Sequence, residues 1–221
     1  MKIKIIPILT FCFALMFMDI SCNKSDNFNY PAGTVGISKI VYFPAISTNG
    51  NRLVIMAQGG IFTDSGATAT LGGSTAKYTT TGSVDATTPG VYGLVYTSAN
   101  AQGNTASDFR TVVVIGSDVS ANDYSGPYLR SSTGQLCNWT KTATGVYSVE
   151  NPGGASVGVG KFVIAVNYTG NMITIPQQIS PDYGLVSSSS ETYNATSAPI
   201  TYSWIFHAGG YGTSLRIFTK Q

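Results

Sequence analysis

Apolar and polar residues alternate in short runs along most of the chain, and clusters of Gly, Asn, Asp and Ser separate the runs. Alternation over about four to eight residues predicts half-buried strands. Residues 91–97 and 109–115 are two such runs joined by a loop that contains glycine, so they predict a β-hairpin. In the first run, Tyr92, Leu94 and Tyr96 share one face, and we expect this face to fill a core.

Further runs of the same kind predict strands in both halves of the chain. The first half adds residues 35–43, 52–57 and 76–81, and the second half contains 128–130, 145–150, 161–168, 172–175, 183–187, 200–206 and 213–219. Seven short strands in the second half predict either an antiparallel β-sandwich or a small β-barrel. The whole chain is therefore predicted to be all-β.

The composition narrows the range of functions. Charged residues make up 10% of the chain, whereas ordinary soluble domains contain roughly 25%. A nucleic-acid-binding protein is not expected, because neutralising phosphates requires clustered Lys and Arg. Hydrophobic residues at 43% and aromatic residues at 11% argue against general disorder. The balance is typical of a secreted or cell-surface β protein.

The N-terminus predicts export. Lys2 and Lys4 precede an apolar run over residues 5–18, which is too short to span a bilayer and is typical of a signal peptide. Residues 19–22 read Asp-Ile-Ser-Cys and resemble a bacterial lipobox, which implies removal of residues 1–21 and lipidation of Cys22. The alternative is an ordinary secreted protein. Polar residues 22–33 are expected to form a tether, and Cys137 is left without a disulfide partner.

A series of short motifs follows the tether. They are Gly59-Gly60, Asp64-Ser65-Gly66-Ala67-Thr68-Ala69, Val84-Asp85, Pro89-Gly90-Val91-Tyr92, Val95-Tyr96, Gly103-Asn104 and Arg110-Thr111-Val112-Val113-Val114. In order and spacing they resemble the immunoglobulin-like domain repeated in bacterial surface proteins, over residues 34–117. The resemblance implies a β-sandwich in which Asp64 and Gly66 form a turn and Tyr92 and Tyr96 fill the core. It also implies a spacer or adhesion module.

Polar residues 116–123 are expected to separate this domain from a C-terminal β domain over residues 124–221. The second domain opens with Ser-Gly-Pro-Tyr at 125–128 and closes with Gly-Gly-Tyr-Gly at 209–212. The whole arrangement resembles small surface lipoproteins of Bacteroidetes, similar to the accessory lipoproteins found beside glycan-uptake systems of the starch-utilisation type. The resemblance implies a lipid-anchored protein exposed on the outer membrane. Its implied partners are a glycan and an outer-membrane transporter or neighbouring lipoprotein.

Catalytic chemistry is poorly supported by the sequence. His207 is the only histidine, which excludes a multi-histidine metal site. Most acidic residues lie in predicted turns or linkers, and nothing in the sequence brings together the two carboxylates that a glycosidase requires. We therefore expect no enzymatic activity, no metal and no cofactor.

Aromatic residues in the second half are the best candidates for ligand binding. Trp139, with Asn138 beside it in a predicted loop, either forms an exposed platform for a sugar ring or fills the core. Tyr211 lies among glycines that would let a ligand approach, and His207 precedes the same glycine turn. The sequence predicts a non-catalytic glycan-binding or accessory protein. The alternative is a structural or adhesion spacer that contacts another envelope protein.

Overall fold

The computed structural model describes residues 31–35, 38–196 and 198–221, and the chain divides after Val41 into two compact units. The described part of the first unit contains the antiparallel strands β1 (Thr34–Val35) and β2 (Ser38–Lys39). The prediction of one strand over residues 35–43 is therefore wrong, because β1 and β2 pair with each other. The predicted signal peptide and Cys22 lie outside the described residues.

The second unit, from Tyr42 to Gln221, consists almost entirely of strands and turns. Its strands are β3 (Pro44–Thr48), β4 (Leu53–Ala57), β5 (Ala67–Leu71), β6 (Ser74–Thr75), β7 (Thr79–Thr81), β8 (Gly90–Ala99), β9 (Thr105–Ile115), β10 (Gly126–Arg130), β11 (Leu136–Ala143), β12 (Val146–Glu150), β13 (Phe162–Thr169), β14 (Met172–Thr174), β15 (Gln178–Ser180), β16 (Gly184–Asn194), β17 (Thr201–His207) and β18 (Leu215–Lys220). Single 3₁₀ turns occur at Ser117–Val119 and Ser156–Gly158. In the described ranges, no helix has the length and apolar character needed to cross a bilayer. The predicted all-β class is confirmed.

Strands β3 to β9 form the N-terminal sandwich. Its two sheets have the strand orders β3-β5-β6 and β4-β9-β8-β7. The predicted hairpin of β8 and β9 is present and antiparallel, whereas β4 joins the other side of β9 in parallel. The parallel pair places β4, the second strand of the sandwich, beside β9, its last strand.

The core of the N-terminal sandwich follows the predicted alternation along β8. Leu94 and Tyr96 are buried and lie in one cluster with Ala67 from the opposite sheet. Tyr92 is different, because it is only partly buried and its hydroxyl donates to Thr88 O (2.7 Å). The expectation that Tyr92 fills the core is therefore wrong, since it lies near the end of the strand, where its ring reaches solvent.

Three motif residues meet in a partly buried polar network. Tyr96 Oη donates to Asp64 Oδ1 (2.6 Å), and Arg110 Nε donates to Tyr96 Oη (3.1 Å). Asp64 Oδ1 also accepts the backbone N–H of Gly66 (3.1 Å), which forms the expected turn. Gly66 has φ +64°, and an added Cβ would lie 2.5 Å from Tyr78 Oη, so glycine is required there. The network links the turn to both strands of the central hairpin.

Strands β10 to β18 form one antiparallel sheet, in the order β14-β13-β12-β11-β10-β18-β17-β16-β15. This sheet, called the curled sheet below, bends into a half-barrel, so the barrel alternative is nearer than the sandwich. The end of the sheet at β14 meets β16, the strand next to the other end, because Ser188 N donates to Ile175 O (3.0 Å) and Ile175 N donates to Ser188 Oγ (2.7 Å).

Side-chain hydrogen bonds connect the edge strand β15 to β13. The amide of Gln178 accepts from Ile164 N (3.0 Å) and donates to Ile164 O (2.7 Å), as a backbone group of a paired strand would. Ser180 Oγ donates to Phe162 O (2.9 Å), and Phe162 N donates to Asp182 Oδ2 (2.8 Å). These side chains form hydrogen bonds with the backbone groups in the half of β13 that does not pair with β14.

The inner face of the curled sheet forms a large aromatic core. Its buried aromatic members are Tyr124, Tyr128, Trp139, Tyr147, Tyr202, Trp204, Phe206 and Phe218. Cys137 is a free, buried cysteine in this core and accepts a hydrogen bond from Tyr202 Oη (3.0 Å). Burial raises the pKa of the Cys137 thiol to about 12. The core therefore holds this cysteine in its neutral form.

A second apolar core joins the N-terminal sandwich to the curled sheet. Val113 and Ile115 of β9 pack with Val166 of β13 and with Val119. Val119 belongs to the segment expected to be a polar break, yet it is fully buried. Because removal of these side chains from water favours contact between the two layers, the sandwich and the sheet form one compact body.

Candidate functional site

Trp139 does not form an exposed platform. It lies in strand β11 rather than in a loop, with 2% of its surface exposed. Its indole stacks on Trp204, with 5.4 Å between ring centroids and 22° between planes. The loop and platform prediction is wrong because β11 alternates, placing Cys137 and Trp139 in the core and Asn138 on the outer face. Trp139 therefore fills the core, which is the second of the two predicted alternatives.

The side-chain amide of Asn138 is hydrogen-bonded to a neighbouring carboxylate. Its Nδ2 donates to Glu150 Oε2 (3.0 Å), while Glu150 Oε1 accepts the N–H of Gly160 (2.8 Å). The hydrogen bond from Asn138 is the main cause that lowers the pKa of Glu150, followed by the one from Gly160. Asn138 therefore helps to hold the loop before β13 and faces away from Trp139.

His207 lies at the end of β17 and forms a hydrogen bond with a serine. Its Nε2 is 2.7 Å from Ser189 Oγ on the adjacent strand β16. A nucleophilic serine also requires a group that orients the histidine and donors for the oxyanion. Within the described residues, no carboxylate contacts His207, and no cluster of His, Cys, Asp and Glu suited to a metal ion is found. The pair satisfies two polar side chains of neighbouring strands.

Tyr211 is partly buried against other rings. It contacts Phe206 (5.0 Å between centroids) and Tyr183 (5.8 Å), both edge-on. The glycine that makes room for it is Gly153, where an added Cβ would lie 2.1 Å from the Tyr211 ring. The glycines beside Tyr211 in sequence face open space. No hydrogen bond or ring contact joins Tyr211 to Trp139 in the described chain, so the predicted residues do not form one site.

An open groove of about 540 Å³ runs between the N-terminal sandwich and the curled sheet. We call it the interlayer groove, and its lining residues are 50–53, Ser148, 162–164 and 178–182. Phe162 presents an aromatic ring that is 46% exposed. Phe162 begins β13, and its neighbour Val163 is buried, so alternation directs the Phe162 side chain outward.

Fixed polar groups accompany this ring. Arg52 donates from Nε (3.0 Å) and Nη2 (2.7 Å) to the two carboxylate oxygens of Asp108, which leaves Nη1 available. Burial alone would raise the pKa of Asp108, but hydrogen bonds from Arg52 and Thr48 lower it to about 2. Asp182 uses Oδ2 to accept the backbone of Phe162, so its Oδ1 remains an available acceptor.

The groove can therefore offer an apolar face together with donors and acceptors at its margin. This combination suits a neutral polar ligand whose faces are apolar and whose edges carry hydroxyl groups. The groove could not be predicted from the sequence, because its residues come from four separated parts of the chain. The only indication in the sequence is that Phe162 alternates with Val163 in β13, which places one of the two side chains on the outer face.

The comparisons with known proteins agree with the first half of the fold. Residues 46–114 match the family model described as bacterial surface protein, Ig-like domain. The matched range is less than half of the chain. Among curated proteins, none matches the sequence.

Several solved structures resemble the chain. One is the crystal structure of the lipoprotein BT2262 from Bacteroides thetaiotaomicron, which is 23% identical with a TM-score of 0.37. The similarity covers 81% of this chain and 100% of that chain.

Proposed function

We propose that the protein is a lipid-anchored cell-envelope protein that binds a glycan without catalysis, as an accessory component of a polysaccharide-uptake system. The observation that carries the proposal is the interlayer groove, with the exposed Phe162 ring beside the polar groups of Arg52 and Asp182. The family match over residues 46–114 supports a location on the bacterial surface.

Phe162 in the groove, and not the buried Trp139, is the aromatic residue that a sugar ring could reach. An aromatic face can cover the apolar side of a pyranose ring, while the hydroxyl groups at the ring edge bond with side chains at the margin. Arg52 is held by Asp108, so a ligand meets a donor whose position is already fixed. No catalytic group is required for this role.

A glycan array with the purified protein tests the proposal. Phe162→Ala should weaken binding of the selected glycan by about tenfold, because the variant removes the apolar face. Leu136→Ala is the matched control, since Leu136 is also 46% exposed and does not line the groove. Absence of binding across the array, or equal binding by Phe162→Ala and the wild type, would exclude a sugar site in this groove.

The predicted anchor has a separate test. Cys22→Ala should move the protein from the membrane fraction to the soluble fraction, because no other membrane attachment is proposed. Unchanged membrane association would contradict lipidation at Cys22 and leave the groove proposal intact.

A spacer that contacts another envelope protein is the second candidate. The apolar core formed by Val113, Val119 and Val166 favours it, because this core makes the sandwich and the curled sheet one body. Cross-linking in intact cells, followed by purification, should then recover a defined envelope partner. Recovery of the protein alone would count against this role.

A further inference from the structure

Two arginines lie side by side at one end of the curled sheet. Arg130 of β10 is paired in register with Phe218 of β18, and Arg216 is two residues from Phe218 on the same strand. Residues two apart on a strand share a face, so both arginines and Phe218 belong to the inner face. Arg216 is only 4% exposed. Positive charges therefore occupy positions that are apolar elsewhere in this core.

Neither guanidinium has an acidic partner among the residues that the structure describes. Arg130 Nη1 donates to Gly153 O (2.9 Å) and Gly154 O (3.2 Å). Arg216 donates from Nη1 to Ser214 O (2.9 Å) and from Nη2 to Tyr211 O. The Nε atoms of both arginines are buried without a hydrogen bond. Each arginine therefore keeps at least one unused donor in a site largely removed from water.

The acidic residues of the described chain are engaged elsewhere. Asp64 and Asp108 pair with other arginines, and the remaining carboxylates bond to hydroxyl, amide or backbone groups; these are Asp85, Asp118, Asp123, Asp182, Glu150 and Glu191. Burial lowers the pKa of Arg216, and the nearby charge of Arg130 lowers it further. A buried cation without a counter-charge is costly, and two adjacent cations are more so.

A small pocket of about 360 Å³ opens at this place. Both arginines line it, with Tyr211, Gly209 and Gly210. The Arg216 guanidinium carbon lies 5.6 Å from the centre of the Tyr211 ring, which restricts its movement. The pocket thus brings the two guanidinium groups together with the Tyr211 ring and the backbone of Gly209 and Gly210.

We propose that this pocket binds the carboxylate of an acidic sugar, with Arg130 and Arg216 as its counter-ions. Guanidinium groups match the planar geometry of a carboxylate, and a bound anion would compensate both charges at once. The choice of a sugar as the carrier rests on the proposed function. The anion pocket is separate from the interlayer groove, since the two share no lining residue.

Thermal unfolding and isothermal titration with glucuronate test this site. Glucuronate should raise the unfolding temperature of the wild type, since a ligand that binds only the folded state stabilises it. Glucose, and acetate or phosphate at equal ionic strength, should have much smaller effects. Arg130→Gln should weaken glucuronate binding by about tenfold or more. Lys77→Gln removes an exposed positive charge from the N-terminal sandwich and should leave binding unchanged.

The outcomes separate this inference from the proposed function. Glucuronate binding that depends on Arg130 and not on Phe162 supports the anion pocket, whatever the glycan array shows. Glucuronate binding that depends on Phe162 and not on Arg130 supports the groove and overturns the pocket. An equal response to phosphate or acetate overturns the acidic-sugar assignment, and no response to any anion overturns the site. If Arg130→Gln does not fold, titration of the wild type with glucuronate, glucose, acetate and phosphate still decides whether the pocket binds an acidic sugar.

Discussion

The ion pair between Arg52 and Asp108 gives a quantitative prediction about acid stability. Asp108→Asn keeps the size of the side chain and one oxygen that can accept the N–H of Thr48, which now donates to Oδ2 (2.7 Å). The variant removes the negative charge that receives three hydrogen bonds from Arg52. The perturbation therefore isolates the charge of Asp108.

The size of the effect follows from the pKa of Asp108. Its lowering from 3.8 to about 2 corresponds to about 2 kcal/mol of folding free energy at neutral pH, at roughly 1.4 kcal/mol per pKa unit. The Arg52 side chain is 39% exposed and that of Asp108 is 11% exposed, so solvent screens part of this energy. We expect Asp108→Asn to cost about 1 to 2 kcal/mol at neutral pH.

The sign of the pH dependence is defined by the depressed pKa of the folded state. The contribution is fully present above the unfolded pKa and is lost as pH falls through the folded pKa. Urea unfolding of the wild type and Asp108→Asn should therefore give a difference that halves by about pH 3 and nearly vanishes by about pH 2. Arg52→Gln should add little to Asp108→Asn. A difference that stays constant with pH would refute the assignment of this energy to the ion pair.

Three further predictions concern the curled sheet. Trp139→Ala should lower the free energy of unfolding by about 3–5 kcal/mol in urea titrations, because it empties the aromatic core; a loss below about 1 kcal/mol would contradict its burial. Gly153→Ala should destabilise the fold by about 1–3 kcal/mol by displacing the Tyr211 ring, and Tyr211→Ala in the same chain should restore much of that loss. Cys137 should resist alkylation in the native protein and react once urea unfolds it, as measured by mass spectrometry of its peptide; rapid native labelling would disprove its burial.

The sequence pattern predicts those strands whose alternation is strong. The hairpin of β8 and β9 and the run of β13 and β14 lie close to their predicted positions, since each joins two apolar runs through a glycine turn. Strands β3, β5, β6, β11 and β15 fall outside the predicted runs. Threonine, asparagine and lysine mask the period of two in β5 and β11, and β6 and β15 are only two and three residues long. In β11 the masked period also leaves the environment of Trp139 undecided between an exposed platform and the core.

The candidate sites were harder to predict for a different reason. Arg130 and Arg216 occupy the same parity as the buried residues Tyr128 and Phe218 of their strands. A cation at an inward position was therefore visible in the sequence. Its proximity to a second cation required the pairing of β10 with β18, which alternation alone does not determine.

The hydrogen bonds of Gln178 and Ser180 that connect β15 to β13 bear on how the protein avoids self-association. An open sheet normally exposes unpaired backbone groups at its edges, and these groups recruit strands from neighbouring molecules. Here side chains occupy that part of β13, so the curled sheet offers fewer places for such recruitment. Copies crowded on one surface would thus remain separate molecules instead of joining into intermolecular β structure.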